Sequence, residues 1–561
     1  MKNIVVLIAI FFLYIQTSYT QENYNPDQER NFVKLNDAFN LYSDFLRNVY
    51  FNYAVKIDPE KLTYYAIQGA LKDLDPFSFI YKKQNNKFLD DIYLKDFFGY
   101  GLNFDTLNSK VYIVKVMRNS SAMKAGVQVG DIVKKLNDKE INGNKNFLLQ
   151  ILDSNKTNEI TLEVYRGCND STIDFALKKS KVINEPILLT QIPDTHIFYL
   201  SFDTFFNNLT LDLQKKFSEI DTTQMKSLII DLRGNPGGLM NEALGMLNLF
   251  ISDSKPVCSI IGQENETVEE FNLPDKAMFP KLPIMILVDK ETASSSEIFS
   301  AIMQEYDRAV IIGEPTLGKG LVQNTFPLRN NYEMRLTTGR YLTSNGRWIQ
   351  HFAFADQFYQ DKTDSTKIFY SKSGKELHQK KAIEPDIIMP TNDFSPLIQD
   401  LVNSKTFFLY LNTLNCNYVS NNNNNSNNNS NELKYPLDFN FFLNFLDSNN
   451  YYDNTDLIKR LKNLQNLQME YGENINDVDN KRDTIGVYFG AEYDKIFKQE
   501  QNQKTEYIKS KLIENKDLIS DLIHLFALSR NGNKSNFIAE FSKYDNVIKK
   551  AVELLQKQNK N

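Results

Sequence analysis

The sequence predicts a multidomain α/β protein, and three changes of texture along its 561 residues carry that prediction. Between about 185 and 395, buried-looking strands such as Ser227-Leu-Ile-Ile-Asp-Leu232 and Ile284-Met-Ile-Leu-Val288 alternate with helical segments, the pattern of helices packed on a sheet. From about Phe98 to Lys179 short β-rich runs, Val111 to Val116 and Glu159 to Tyr165, are punctuated by glycine around one helical stretch, Phe147 to Leu152. Before and after these lie apolar residues at helical spacing, at Phe32, Leu35, Phe39 and Phe45, and again at Val547, Ile548, Ala551 and Leu555.

In chain order, residues 1–20 read as a signal peptide: Lys2 precedes twelve apolar residues, Ile4 to Ile15, then a polar stretch. A helix of that length spans about 18 Å, too short for a bilayer core. Export to the periplasm or another extracytoplasmic space is expected, the alternative being an uncleaved segment that keeps the protein at a membrane. Residues 21–90 form a helical entry segment with a breaker at Asp75-Pro76, and 91–180 the small β-rich domain. Residues 181–395 form the α/β core, where chemistry belongs at strand ends. Residues 396–561 form a helical region interrupted by an insert, 421–431, of only Asn and Ser that cannot pack a core.

Charge and composition exclude several functions. Lys plus Arg total 64 against 70 Asp plus Glu, a net charge of -6, so no overall basic field exists for nucleic acid. Three dispersed cysteines and four histidines argue against disulfide scaffolds and His/Cys zinc sites.

Four segments can carry chemistry. Thr292-Ala-Ser-Ser-Ser-Glu297 follows a strand and opens a helix. Ser294 to Glu297 is S-x-x-E, a capping box, yet the same geometry presents a serine hydroxyl where unpaired N–H groups favour an oxyanion. Gly313-Glu-Pro-Thr-Leu-Gly-Lys-Gly320 fits a phosphate-binding G-x-x-x-x-G-K, but Gly320 stands where a magnesium-holding hydroxyl belongs, and 321–326 reads as strand rather than helix. An extended 321–326 would set Lys319, Leu321 and Gln323 on one face. Asp231-Leu-Arg-Gly-Asn-Pro-Gly-Gly238 is either a plain turn or half of an oxyanion hole. Phe98-Gly-Tyr-Gly-Leu102, followed by Ala125 to Asp131, is either a pair of β-turns or a loop that captures a peptide's terminal carboxylate.

Taken in order, Leu74-Asp-Pro-Phe-Ser78, Ala125 to Asp131, Asp231 to Gly238, Thr292 to Glu297, Glu314 to Gln323, Leu336-Thr-Thr-Gly-Arg-Tyr341 and Ile383-Glu-Pro-Asp386 resemble the C-terminal processing peptidases, or tail-specific proteases, over roughly residues 60 to 390. The helical tail is similar to that of long bacterial members. The resemblance implies a ClpP/crotonase-like serine protease core with an inserted PDZ domain. It further implies Ser294 as nucleophile, Lys319 as general base, Gln323 or else Glu305 as third participant, and oxyanion donors at Gly237, Gly238 and Ser295. Gly99, Tyr100, Gly101 and Leu102 would receive peptide tails. Asp307 and Gln379 to Ala382 depart from the pattern, both outside the dyad. The expected partners are protein or peptide substrates with apolar C-terminal tails, and no metal or cofactor is required. The rival reading is a non-catalytic peptide-binding or chaperone protein using the same groove.

Overall fold

A computed structural model of the chain describes residues 26–83, 96–154, 157–167, 170–183, 186–351, 367–378, 382–390, 394–414, 438–449, 451, 503–530 and 534–560. The expected signal peptide and the 421–431 insert lie outside these residues. The described residues divide into two compact units, the smaller holding residues 26–83 and 323–337, the larger the rest.

In the smaller unit, helices Pro26–Asn52 and Pro59–Leu74 are followed by the strand Phe79–Lys82, which pairs antiparallel with Tyr332 to Arg335. The second helix starts where proline at its first position needs no N–H partner and Asp58 accepts from Glu60 N–H at 2.9 Å. The expected breaker at Asp75-Pro76 is a tight turn: Asp75 accepts from the N–H groups of Phe77 and Ser78 and from the Ser78 hydroxyl at 2.7 to 2.8 Å.

The larger unit is centred on a six-stranded sheet. Its spatial order is Ile187–Gln191, Ile197–Phe202, Ser227–Asp231, Ile284–Val288, Val310–Gly313 and Ile387–Ile388, with the first pair antiparallel and the others parallel. Strands Ser227–Asp231 and Ile284–Val288 are buried along their whole length, as continuous apolar runs in a sheet covered on both faces must be. On one face lie helices Leu209–Ser218, Met240–Asn248 and Ser295–Glu305, whose Phe217, Leu247, Phe299 and Ile302 share a core with Leu228, Ile230 and Ile286. On the other lies Asn546–Lys560, at the far end of the chain, with Val547, Ile548, Ala551 and Leu555 buried against Ile229, Met285, Leu287 and Ile312.

Residues 102–178 form a separate β domain with its own core. Its sheet runs Leu102–Leu107, Lys110–Val116, Ile132–Leu136, Glu159–Arg166, Ser171–Lys178, so Leu102–Leu107 is an edge strand among the described residues. Helices Pro396–Asn403, Thr406–Leu411, Phe439–Ser448 and Lys516–Arg530 build a further apolar cluster. Phe408 from this region packs edge-on against Tyr112 of the β domain, beside an ion pair of Lys405 with Asp105.

Candidate active site

The C-terminal ends of two adjacent parallel strands, Ser227–Asp231 and Ile284–Val288, point to one place, and the loops leaving them are laced together. The Thr292 hydroxyl donates to Leu232 O at 2.9 Å, Ala293 N–H to Asn235 O at 3.1 Å, and the Ser296 hydroxyl to Asn235 Oδ1 at 3.0 Å. Asn235, 1% exposed, also sends its amide to Phe202 O at 2.9 Å. One small buried amide therefore ties three loops.

Ser294 sits at φ +56°, ψ -118°, immediately before the helix Ser295–Glu305. A non-glycine residue in that region is strained, and strain of this kind persists only where surrounding bonds over-determine it. The restraint is Glu297. Its carboxylate accepts four hydrogen bonds: Oε2 from the N–H groups of Ser294 and Lys319, both at 2.8 Å, and Oε1 from Gly318 N–H at 2.7 Å and the Thr316 hydroxyl at 2.6 Å. The capping box read from sequence is thus present in its Glu297 half, and the same side chain also fastens the lysine loop to the serine turn. Burial pushes the Glu297 carboxyl above its ordinary range, against the pull of those four donors.

The lysine loop is irregular from 314 to 320 and becomes strand only at Leu321. Lys319 therefore lies two residues before the strand, in the irregular part of the loop. A strand at Leu321–Pro327 also leaves no helix N-terminus for a nucleotide phosphate. Gly320 is packed so closely that a Cβ there would lie 2.4 Å from Ile349 O, and its N–H donates to Gln350 Oε1 at 2.8 Å. The buried Tyr341 hydroxyl bridges the two halves, 2.5 Å from Lys319 O and 3.3 Å from Ser294 O. Sequence reading singled out none of Asn235, Thr316 and Tyr341, and it gave Glu297 only a cap.

Gly237 and Gly238 take φ of +95° and +147°. A Cβ on Gly237 would lie 2.6 Å from Ala293 O and 2.9 Å from Ser294 Cβ, which makes this turn a wall of the serine site. The Gly237 N–H is spent on Asn235 Oδ1 at 3.0 Å, so it is not the donor expected from sequence. Beside it, Gly238 is fixed by Phe205, which donates to Gly237 O at 2.9 Å and accepts from Leu239 N–H at 2.8 Å. The N–H groups of Gly238 and of Ser295, at the first turn of its helix, take no part in these bonds.

Glu305 is a correction. It ends the helix Ser295–Glu305, eleven residues after Ser294, or about 16.5 Å at 1.5 Å per residue. There it is 1% exposed and paired with Arg347 Nε at 3.1 Å, so it is a structural ion pair and takes no part at the serine. Gln323 belongs to the smaller unit, where its amide donates to Phe77 O at 2.6 Å. Asp307, where the resemblance leads one to expect glycine, sits at φ +51°, the conformation glycine adopts most easily.

In the β domain, Gly99 ends a strand paired with Ser180, and Gly101 at φ +80° brings its Cα against Ser120, whose Cβ would be 2.2 Å from any side chain added there. Tyr100 turns into the domain core, and Leu102 opens the edge strand beside the helix Lys145–Ser154. Of the four residues expected to receive a peptide, Tyr100 offers only backbone.

Comparison with known proteins fits this arrangement. Residues 196–356 match peptidase family S41 and residues 99–177 match a PDZ domain. The carboxy-terminal processing protease CtpA of Bacillus subtilis (strain 168) is 29% identical over 350 residues, 62% of this chain and 72% of that protein. CtpB of the same organism is 28% identical over 341 residues, 60% of this chain and 69% of that protein. The solved photosystem II D1 C-terminal processing protease is 20% identical, covering 62% of this chain and 86% of its own, at a TM-score of 0.34. The chain belongs to the S41 carboxy-terminal processing peptidases, serine-type enzymes that carry a PDZ domain and act on proteins.

Proposed function

We propose that this peptidase uses a Ser294/Lys319 dyad, takes substrates by apolar C-terminal tails through its PDZ domain, and works outside the cytoplasm. The observation that carries the dyad is the Glu297 carboxylate, whose single oxygen Oε2 accepts from the backbone N–H groups of both Ser294 and Lys319. In the reaction Ser294 Oγ attacks the scissile carbonyl carbon while its proton passes to neutral Lys319 Nζ. The carbonyl electron pair moves to oxygen, where the N–H groups of Gly238 and Ser295 donate to it. Collapse returns the pair, breaks the C–N bond and hands the lysine proton to the leaving amine. Water then repeats the sequence on the acyl-enzyme, with Lys319 as base. Gln323 is proposed to orient the lysine.

Tail capture is supported by the edge strand Leu102–Leu107, which can pair with an extended peptide, and by the Gly101 turn that starts it. Export is supported by the apolar run Ile4 to Ile15.

The test is cleavage of an apolar-tailed protein by wild type, Ser294→Ala, Lys319→Ala and Lys319→Arg, each checked for folding by thermal melting. All three variants are expected to fall at least 1,000-fold, because guanidinium stays protonated and cannot take the serine proton. Cleavage by Lys319→Arg near the wild-type rate removes Lys319 from the dyad. Amidating the substrate tail is expected to raise KM; an unchanged KM removes carboxylate capture alone.

A further inference from the structure

We propose that Asp545, at the start of the last helix, is a positioning residue for the oxyanion turn. The proposal rests on assigning that turn's Gly238 N–H to the oxyanion. Arg233 lies between them. Its guanidinium grips Asp231 side-on, Nε to Oδ1 at 2.9 Å and Nη2 to Oδ2 at 2.6 Å, while Nη1 donates to Asp545 Oδ2 at 2.7 Å. Asp231 is held in turn by the Tyr199 hydroxyl at 2.8 Å and by the Arg233 N–H at 3.0 Å. The next residue, Gly234, donates to both oxygens of Asp289 at 3.0 and 3.1 Å, and the one after is Asn235, which shapes the turn.

Asp545 is a rigid anchor. Its side chain is 3% exposed, and its second oxygen accepts the Ile548 N–H at 2.8 Å, capping the helix Asn546–Lys560. Three large aliphatic side chains of that helix, Val547, Ile548 and Leu555, are buried against the sheet. The second carboxylate is not needed to balance charge, because Asp231 alone neutralises Arg233. What it adds is direction: a planar fork held from two sides cannot rotate. Residues 231–233, from which the turn springs, are therefore fixed by a side chain 312 positions further along the chain.

Deleting the helix would uncover a sheet face, so the test needs a milder change. Asp545→Asn keeps the size and an equally good helix cap while removing the charged partner of Arg233. In the full chain, with an apolar-tailed peptide, kcat is expected to fall about 5- to 30-fold, less than the loss of a whole oxyanion donor. KM should stay within twofold. A peptide aldehyde of the same sequence, whose adduct with Ser294 is tetrahedral, should lose affinity by the same factor as kcat/KM, and Asp545→Glu should recover part of the loss. A variant whose kcat and aldehyde affinity stay within twofold of wild type overturns the proposal. So does a loss that falls on KM, or one that follows a lowered melting temperature without touching aldehyde affinity. Ser294→Ala assayed beside it separates the premises. Cleavage surviving in that variant condemns the site assignment, whereas a dead Ser294→Ala beside an unaffected Asp545→Asn condemns only the role of Asp545.

Discussion

Glu297 and Glu305 occupy opposite ends of one helix, both fully buried and both with carboxyls pushed above the ordinary glutamate range by burial. By those measures they are alike, and in sequence Glu305 was the candidate for catalysis while Glu297 was only a cap. Their partners separate them. Glu297 meets three backbone N–H groups and a hydroxyl from two loops that converge on the serine, whereas Glu305 meets the guanidinium of Arg347. Burial and a displaced pKa mark a carboxylate as constrained, and only what it constrains decides whether the site depends on it.

The strongest way to break this comparison is Glu297→Gln. The amide keeps the shape but brings two donors into a ring of four, so either the Ser294 and Lys319 N–H groups both lose their acceptor, or the Gly318 N–H loses its own and the Thr316 hydroxyl must reverse. Cleavage is expected to drop 100-fold or more with modest change in KM; a rate within fivefold of wild type would put Glu297 on the same footing as Glu305.

Glu305→Gln should do the reverse. Removing one partner of a buried pair strands Arg347 and is expected to cost about 3 kcal/mol of stability, read as a lowered denaturation midpoint, with kcat within threefold at a temperature where the variant is folded. The double variant Glu305→Gln/Arg347→Met should recover much of that stability. A tenfold fall in kcat in the folded single variant would return Glu305 to the site.

The smallest effect concerns pH. A carboxyl whose pKa is raised in the folded state favours folding while protonated. Glu297 therefore contributes stability below the ordinary glutamate range, and that contribution is lost as pH rises through its raised value. In a Ser294→Ala background the melting temperature of the wild-type Glu297 chain, relative to Glu297→Gln, should fall as pH climbs from about 4 to 7. A difference that is flat, or rises, contradicts the raised pKa.

Much of the fold was legible because its signals are local. Continuous apolar runs announced the strands Ser227–Asp231 and Ile284–Val288, and S-x-x-E announced the serine turn. The site was legible only where one short segment holds the whole arrangement. That Gly238 and not Gly237 has the unspent N–H depends on where a single Asn235 oxygen points. The removal of Glu305 needed its distance along the helix and its guanidinium partner 42 residues later, and nothing near Arg233 in sequence points to Asp545. Periodicity reports which face of an element is buried; it carries no information about which distant residue buries it.

The helix Asn546–Lys560 covers one face of the central sheet, and this imposes an order in time. The strand Val310–Gly313 leaves the ribosome roughly 250 residues before that helix does, about 12 to 50 s earlier at 5 to 20 residues per second. Throughout that interval Ile229, Met285, Leu287 and Ile312 have no cover and Arg233 has one carboxylate instead of two. Until that helix arrives, the turn that Asp545 is proposed to hold lacks one of its two carboxylate anchors, so a growing chain is expected to cleave more slowly than a finished one.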